Sequence, residues 1–288
     1  MWSPSTSDPG GCSAPRRAGE RSAALSLFKM EEKKTSPLYK LIKGLVRLFY
    51  PETAVSGKEK LPPEPVVFVG NHAQMNGPIV SELYLPSPHY TWCAGQMMRL
   101  KEVPAYAYQD FWSGKPRSVR WLYRILSYLI APLSVCVFNN ADTVPVYRDA
   151  RIITTFRESM GRLEEGASLV IFPEHLKRHN NIVYEFQDKF IDLARMYHKR
   201  TGRALAFVPL YVAPALGTAF LGDPIRYDPA APKTEERRRI CQALMDAVTD
   251  LAAGLPRHTV VPYANLPKKD YPFNLPLEVY EEHEEDTL

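Results

Sequence analysis

The chain has 288 residues, of which 45% are hydrophobic and 24% are charged, and its formal net charge is +4. This composition is typical of a folded domain, and the length is sufficient for one domain with a substantial core. It excludes a collagen-like repeat, an acidic disordered protein and a mini-protein that depends on disulfides.

The N-terminal segment differs in composition from the rest of the chain. Residues 1–29 are rich in Ser, Pro, Gly, Ala and Arg, and they contain no apolar run long enough for a signal peptide. We interpret them as disordered, or as the result of a start codon assigned too far upstream, since Met30 begins a more regular stretch.

An amphipathic helix is predicted within residues 30–54. Across 36–50, apolar residues recur at spacings of three and four, and three basic residues lie on the opposite side, namely Lys40, Lys43 and Arg47. Such a helix can dock on its own domain, or it can lie in the headgroup region of a membrane with its lysines among anionic lipids. The pattern leaves both interpretations open, and membrane association is the one we carry forward.

Residues 55–254 alternate short apolar runs with patterns of helical period. Buried strands are predicted at Val66–Val69, Tyr90–Ala94, Leu169–Phe172 and Leu205–Val212. Helices are predicted at Ala150–Glu165, Glu185–Arg200 and Lys233–Ala253. This alternation predicts an α/β domain in which helices flank a largely parallel or mixed central sheet.

The segment from Trp121 to Phe138 comes nearest to a membrane-spanning helix. Arg124 and Pro132 interrupt it, so a spanning helix is disfavoured. Four aromatic residues in and before this segment are expected to line the core or an acyl-chain groove, namely Trp112, Trp121, Tyr123 and Tyr128.

Candidate functional residues follow or adjoin the predicted strands. N-H occupies positions 71–72, V-P-V-Y-R-D occupies 144–149, F-P-E occupies 172–174 and V-P-L occupies 208–210. Because ligands of such sheets bind at the carboxyl ends of the strands, a His, an Arg and a Glu are expected in one region. Together they would suit the transfer of a group onto a phosphorylated hydroxyl compound.

These four blocks resemble, in the same order, the motifs of the lysophosphatidic acid (1-acylglycerol-3-phosphate) acyltransferases and their glycerolipid acyltransferase relatives, over roughly residues 36–215. The resemblance implies an enzyme of phospholipid biosynthesis that moves a fatty acyl group from a thioester donor to the hydroxyl of a lysophospholipid or glycerol-phosphate-like acceptor. It implies no cofactor and no metal, with acyl-CoA, acyl carrier protein or acyl phosphate as the co-substrate. With the amphipathic helix, it predicts a cytoplasmic protein, peripheral on the inner face of the membrane and bound to anionic lipids.

The resemblance also implies a role for each motif residue. His72 corresponds to a general base that deprotonates the acceptor hydroxyl, and a neutral imidazole suits that role because its pKa lies near the working pH. Arg148 corresponds to an arginine that holds the acceptor's phosphate. Glu174 corresponds to a glutamate that orients the acceptor or the local loop. Lys177 stands where the third motif usually has arginine, and it is expected to contact substrate.

The chain departs from the family pattern at the acid that follows the histidine. The pattern N-H-x-x-x-x-D places an aspartate at position 77, where this chain has Gly77. Asn76 could hydrogen-bond the imidazole or bind substrate but supplies no charge, and Glu82 and Asp110 are further candidate acids. If only the acid is missing, Gly77→Asp should increase transfer. A catalytically inactive relative that binds lipid or acyl carrier, and a hydrolase of acyl thioesters, remain alternatives.

Residues 255–288 are predicted to form a Pro-rich and acidic tail. Six acidic residues and no Lys or Arg lie in 278–288, so the rest of the chain is more basic and suits an anionic membrane or substrate. No basic run with interleaved aromatic residues predicts nucleic-acid binding. The four cysteines lack C-x-x-C spacing, which favours a reducing cytoplasm, and His175 and His179 have no evident third ligand, so no metal site is predicted.

Overall fold

The computed structural model describes residues 35–114 and 116–275. The segment predicted to be disordered or wrongly included, 1–29, lies outside the described residues, as does the acidic cluster of 278–288. The helices are α1 Pro37–Phe49, α2 Asn76–Tyr84, α3 Val103–Ala107, α4 Arg120–Asn140, α5 Ile152–Glu164, α6 Asp192–Thr201 and α7 Lys233–Ala253. The strands are β1 Ala54–Ser56, β2 Val66–Gly70, β3 His89–Ala94, β4 Thr143–Val146, β5 Ser168–Ile171, β6 Glu174–Arg178, β7 Tyr184–Phe186, β8 Ala206–Ala213, β9 Thr218–Leu221 and β10 Ile225–Arg226.

The main sheet is mixed, with a parallel centre. Its strand order is β1-β9-β8-β2-β5-β3-β4, with β10 paired to β8. Strands β8, β2, β5, β3 and β4 are mutually parallel, whereas β9 and β10 run antiparallel to β8. This arrangement confirms the predicted α/β class. It also brings the carboxyl ends of β2, β5 and β8 side by side, because these three strands are direct neighbours.

Alternating residues of β2 build the core on both faces of the sheet. Val67 and Val69 join a cluster that includes side chains of α5, α6 and α7, while Val66 and Phe68 join a cluster on the other face that includes Val80 of α2. All five residues of β2 are buried. A strand covered on both faces reads as a continuous apolar run, which explains why the sequence pattern located it.

One predicted helix begins in the wrong place. The helix expected from Glu185 begins only at Asp192, because Tyr184–Phe186 is a strand that pairs antiparallel with Glu174–Arg178. Tyr184 and Phe186 are buried and Glu185 between them is more exposed, so burial there alternates with the period of a strand. In contrast, the last predicted helix, Lys233–Ala253, has the predicted bounds.

Helix α1 is fastened to α2 by polar contacts. The Tyr39 hydroxyl donates a hydrogen bond to Glu82 Oε1, and Lys43 Nζ lies 2.6 Å from the same oxygen. The face of α1 that points away from α2 carries five exposed apolar side chains, namely Leu38, Leu41, Leu45, Leu48 and Phe49. The helix therefore docks on the domain and still presents an apolar stripe outward.

Helix α4 is largely exposed. Only Ser127, Ala131 and Ser134 of its residues are buried. Trp121 is 64% exposed and Tyr128 is 70% exposed, so these two aromatic residues do not line the core, and the alternative that they line an acyl-chain groove stays a prediction. By length and composition, the span 117–140 is the one helix among the described residues that could cross a membrane. Its other exposed apolar residues are Leu122, Ile125, Leu129 and Leu133.

The chain after α7 folds back as an antiparallel loop, here called the C-terminal hairpin (residues 258–274). Thr259 bridges to Phe273, Val260 N donates to Pro272 O at 2.8 Å, and Asn274 N donates to His258 O at 3.1 Å. His258 and Asn274 are buried. The packed part of the chain thus extends past the predicted domain boundary at residue 254.

Candidate active site

The His72 loop begins at the end of β2, where the backbone is held tightly against β8. A Cβ atom on Gly70 would lie 1.9 Å from the Leu210 carbonyl oxygen, so only glycine fits there. The next residue, Asn71, is buried, and its side chain exchanges hydrogen bonds with the Val212 backbone at 3.0 and 2.7 Å. These contacts fix the point from which His72 projects beyond the sheet.

The His72 imidazole lies among aromatic rings. Its centroid is 5.3 Å from that of Phe172 and 5.8 Å from that of Tyr263, both edge to face. Burial lowers the pKa of His72 to about 4, although a hydrogen bond to the Gln74 backbone acts in the opposite direction. The expectation that this pKa lies near the working pH is therefore wrong. The ring is neutral at neutral pH, which is the form that can accept a proton, but it is a weaker base than an ordinary imidazole.

Glu174 lies directly beneath the His72 loop and is 3% exposed. One carboxylate oxygen accepts a hydrogen bond from His72 N, and the other accepts one from Tyr184 N at 2.9 Å. Burial raises the pKa of Glu174 to about 7, while the two backbone hydrogen bonds act to lower it. Both contacts are to main chain, so this residue holds the histidine loop in place.

Gly77 is closely packed. A Cβ atom there would lie 2.6 Å from the His72 carbonyl oxygen and 2.9 Å from the Phe172 ring. The backbone carbonyl cannot be approached that closely without moving the loop. The structure thus argues against the expectation that Gly77→Asp leaves the fold intact and increases transfer, because a side chain at this position requires the His72 loop to shift.

The other residues considered as partners of His72 are engaged elsewhere. Asn76 accepts a hydrogen bond from the Tyr50 hydroxyl at 2.8 Å and donates one to Ala73 O at 2.8 Å, so it braces the turn and joins it to the end of α1. Glu82 is bound by Tyr39 and Lys43 of α1.

Arg148 follows β4 at the far side of the candidate site and is exposed. Two strands, β5 and β3, separate β4 from β2, which places the two strand ends roughly 14 Å apart at about 4.8 Å per strand. Burial raises the pKa of Asp110, and the positive charge of Arg148 acts to lower it. Burial also raises the pKa of Tyr263, on which the charges of Asp110 and Arg148 both act. Tyr263 thus packs against His72 and is also within electrostatic range of Arg148.

Lys177 lies on β6, in the exposed part of that strand. Its Nζ and the His175 Nε2 each lie 3.2 Å from the same Glu185 carboxylate oxygen. Both side chains therefore have a partner within the protein, and neither contact requires a substrate. Among the described residues, no three His, Cys, Asp or Glu side chains gather in a way that could hold a metal ion.

Sequence patterns did not identify Gln74, Tyr263 or Tyr271 as part of this site. Tyr263 packs on His72, and the Gln74 side chain donates to the Tyr271 hydroxyl at 2.9 Å. The C-terminal hairpin supplies both tyrosines from far along the chain. No local spacing could have revealed that proximity.

No family model matches the chain, and no curated protein matches it. Among solved structures, the chain is similar to the 1-acyl-sn-glycerophosphate (LPA) acyltransferase PlsC from Thermotoga maritima, with 18% sequence identity and a TM-score of 0.43. That similarity covers 82% of this chain and 89% of the other.

Proposed function

We propose that this protein is an acyltransferase of phospholipid biosynthesis, in which His72 is the general base. The observation that carries the proposal is a neutral, largely buried imidazole whose main chain is held by the carboxylate of Glu174. This pair stands at the ends of two adjacent parallel strands, where α/β sheets bind ligands. The four sequence blocks that resemble acyltransferase motifs supply the reaction class.

The proposed reaction needs one base and no covalent enzyme intermediate. The neutral imidazole takes the proton of the acceptor hydroxyl while that oxygen attacks the acyl carbonyl carbon. With a thioester donor, the new C–O bond forms, the bond from the carbonyl carbon to the donor sulfur breaks, and the imidazolium returns its proton to the departing thiolate. The direct test is an acyl-transfer assay with lysophosphatidic acid and each class of donor.

The proposed place of action is the surface of an anionic membrane. Helices α1 and α4 are in contact, and Ser36 N donates to Asn140 Oδ1 at 2.7 Å. Neither helix contains Asp or Glu, and both carry exposed cationic side chains next to their apolar residues, for example Lys40, Arg47 and Arg124. Soluble proteins rarely expose large apolar patches without a binding role, and the basic character favours anionic lipid.

Contact with a membrane through α1 would bring the site to the lipid headgroups. The Tyr50 hydroxyl at the end of α1 donates to Asn76, which in turn braces the turn after His72. A lysolipid could then offer its hydroxyl to His72 without leaving the bilayer. This link favours a membrane-bound acceptor over a free one.

We expect the combined change Leu41→Ser, Leu45→Ser and Leu48→Ser to weaken binding to anionic vesicles by about tenfold or more, because each leucine buries apolar surface in the bilayer. All three side chains are exposed, so folding should be unaffected. Co-sedimentation measures the change. Ile153→Ser, at an equally exposed position on α5, is the matched control and should bind normally. Equal binding by both variants, or binding that high salt does not weaken, would contradict membrane docking through α1.

We expect Arg148→Ala to raise the KM for a phosphorylated acceptor about 10- to 150-fold, because a charge-assisted contact contributes about 1.5–3 kcal/mol. The KM for the dephosphorylated acceptor should change far less. Arg203→Ala is the matched control, since Arg203 is exposed and precedes the amino end of β8. Equal effects on the two acceptors would show that Arg148 does not recognise phosphate.

A non-catalytic lipid-binding protein of the same fold is the second candidate. The close packing of Gly77 favours it, because the loop has no room for the acid of the family pattern. It predicts vesicle and acyl-donor binding without turnover.

A further inference from the structure

The His72 imidazole is confined by two aromatic rings that come from distant parts of the chain. Phe172 follows β5, and Tyr263 belongs to the C-terminal hairpin. Their ring centroids lie 5.3 and 5.8 Å from that of the imidazole, and both rings meet it edge to face. Contacts of this kind are attractive and depend on the mutual orientation of the rings, so the pair restricts how the imidazole can turn.

Tyr263 is linked to the same carboxylate that holds the histidine loop. Its ring also packs edge to face on that of Tyr184, with the centroids 5.8 Å apart. The Tyr184 main-chain N–H donates to one oxygen of Glu174, and the His72 main-chain N–H donates to the other. These four residues therefore form a closed circuit of contacts. Two hydrogen bonds fix the main chain of the circuit, and two ring contacts fix its side chains.

The C-terminal hairpin is attached at both ends, so it can hold a ring in place. At its base, Asn274 Oδ1 accepts a hydrogen bond from His258 N at 2.8 Å, and His258 Nε2 lies 2.7 Å from the hydroxyl of Tyr211 on β8. All three of these side chains are buried. Nearer the tip, the Tyr271 hydroxyl accepts a hydrogen bond at 2.9 Å from Gln74 Nε2, in the turn that follows the histidine.

We propose that Tyr263 is a positioning residue: together with Phe172, its ring sets the orientation of the His72 imidazole, a role that the family pattern gives to the aspartate missing at position 77. The inference rests on the proposed function, because a general base must point at the hydroxyl that it deprotonates. Side chains that act in a reaction are held by the packing of their neighbours as well as by hydrogen bonds. Packing supplies orientation and no negative charge, so it replaces one of the two effects of a carboxylate.

Two substitutions separate the ring of Tyr263 from its hydroxyl group. Tyr263→Phe keeps the ring and removes the hydroxyl, whereas Tyr263→Leu keeps an apolar side chain and removes the ring. Tyr227→Leu is the matched control for lost aromatic packing, because Tyr227 is buried away from the site. It follows β10, and its main-chain N–H donates to Leu205 O at 3.0 Å, at the amino end of β8. Thermal unfolding midpoints establish that all three variants are folded.

We expect Tyr263→Leu to lower kcat about 10- to 100-fold and to leave the KM for the acceptor unchanged. A misdirected base slows the proton transfer, whereas the binding of the acceptor does not depend on it. Tyr263→Phe should restore kcat to within about twofold of the wild type, because the ring is retained. Tyr227→Leu should also transfer at about the wild-type rate.

A second readout does not require turnover. The full chain with isotope-labelled histidines is studied by NMR at neutral pH, and His72 is assigned by comparison with His72→Ala. The wild type, Tyr263→Phe and Tyr227→Leu should each show one set of ring-proton signals for His72, with cross-peaks to the ring at position 263. In Tyr263→Leu these signals should be split or broadened, because the imidazole samples several orientations.

Three results would overturn the inference: a wild-type kcat and unchanged His72 signals in Tyr263→Leu, an equal loss of kcat in Tyr263→Phe, or an equal loss in Tyr227→Leu. The second would assign the effect to the hydroxyl group, and the third to a general loss of packing. Split His72 signals in Tyr263→Leu, without acyl transfer by the wild type from any donor, would support the control of the imidazole by Tyr263 while the proposed enzymatic function fails.

Discussion

Replacing His72 with Ala is expected to reduce acyl transfer by about 10²- to 10⁴-fold, the usual contribution of a general base. The main-chain hydrogen bond from residue 72 to Glu174 does not depend on the imidazole and should survive the change. The fold should therefore persist, as judged by circular dichroism and by the thermal unfolding midpoint. Initial rates with saturating donor and acceptor measure the loss.

The matched control for this change is His179→Ala. His179 is exposed on the turn between β6 and β7, and its backbone N–H donates to Val183 O in a bond that alanine preserves. This variant should transfer at the wild-type rate. Similar losses in both variants, or a rate for His72→Ala within twofold of the wild type, would remove His72 from the reaction.

Replacing Glu174 with Ala is expected to lower the free energy of unfolding by about 2–6 kcal/mol, because it leaves two buried backbone N–H groups without acceptors at about 1–3 kcal/mol each. These groups belong to His72 and Tyr184. Transfer should fall as well, since the histidine loop loses its support. The free energy of unfolding of Glu174→Gln should lie between those of the wild type and Glu174→Ala. The amide oxygen can accept one of the two hydrogen bonds, whereas the amide nitrogen faces the other N–H donor. Urea unfolding measures the free energy of unfolding of the wild type, Glu174→Ala and Glu174→Gln.

The pH dependence of the free energy of unfolding distinguishes the contribution of the Glu174 side chain from that of the His72 side chain. The pKa of Glu174 is raised to about 7, so between pH 4.5 and 7 the folded state holds a proton that the unfolded state has lost, and stability falls as pH rises. The pKa of His72 is lowered to about 4, so between pH 4 and 6.5 the unfolded state holds the extra proton, and stability rises with pH. Relative to the wild type, Glu174→Gln should therefore become more stable, and His72→Ala less stable, as pH rises from 4.5 to 6.5. If the free energy of unfolding changed with pH in the same way in all three proteins, these effects of burial on the two pKa values would be contradicted.

The sequence predicted the parts of the site that depend on strand ends. β2 and β5 are covered on both faces, so their apolar runs were evident, and His72 and Glu174 follow them directly. That the two strands are neighbours was not predictable, because the strand order depends on packing across the whole sheet. The hairpin of β6 and β7 was also missed, since its short alternating pattern merged with that of the following helix.

Main-chain geometry and long-range contacts set the rest of the site. The turn after His72 depends on two left-handed residues, Ala73 and Gln74, which no side-chain pattern encodes. The hydrogen bond to Tyr271 joins residues almost 200 positions apart. The lack of space at Gly77 likewise became evident only from the position of the His72 carbonyl.

The most direct measurement uses labelled acyl donor, lysophosphatidic acid in anionic vesicles, and the purified full chain. Acyl-CoA, acyl carrier protein loaded with a fatty acid, and acyl phosphate are tested in turn, and both phosphatidic acid and free fatty acid are quantified. We expect one donor to yield phosphatidic acid with the wild type and His179→Ala, and background amounts with His72→Ala. Free fatty acid formed without phosphatidic acid would indicate a hydrolase. Identical background for the wild type and His72→Ala with every donor would contradict an acyltransferase function for this site.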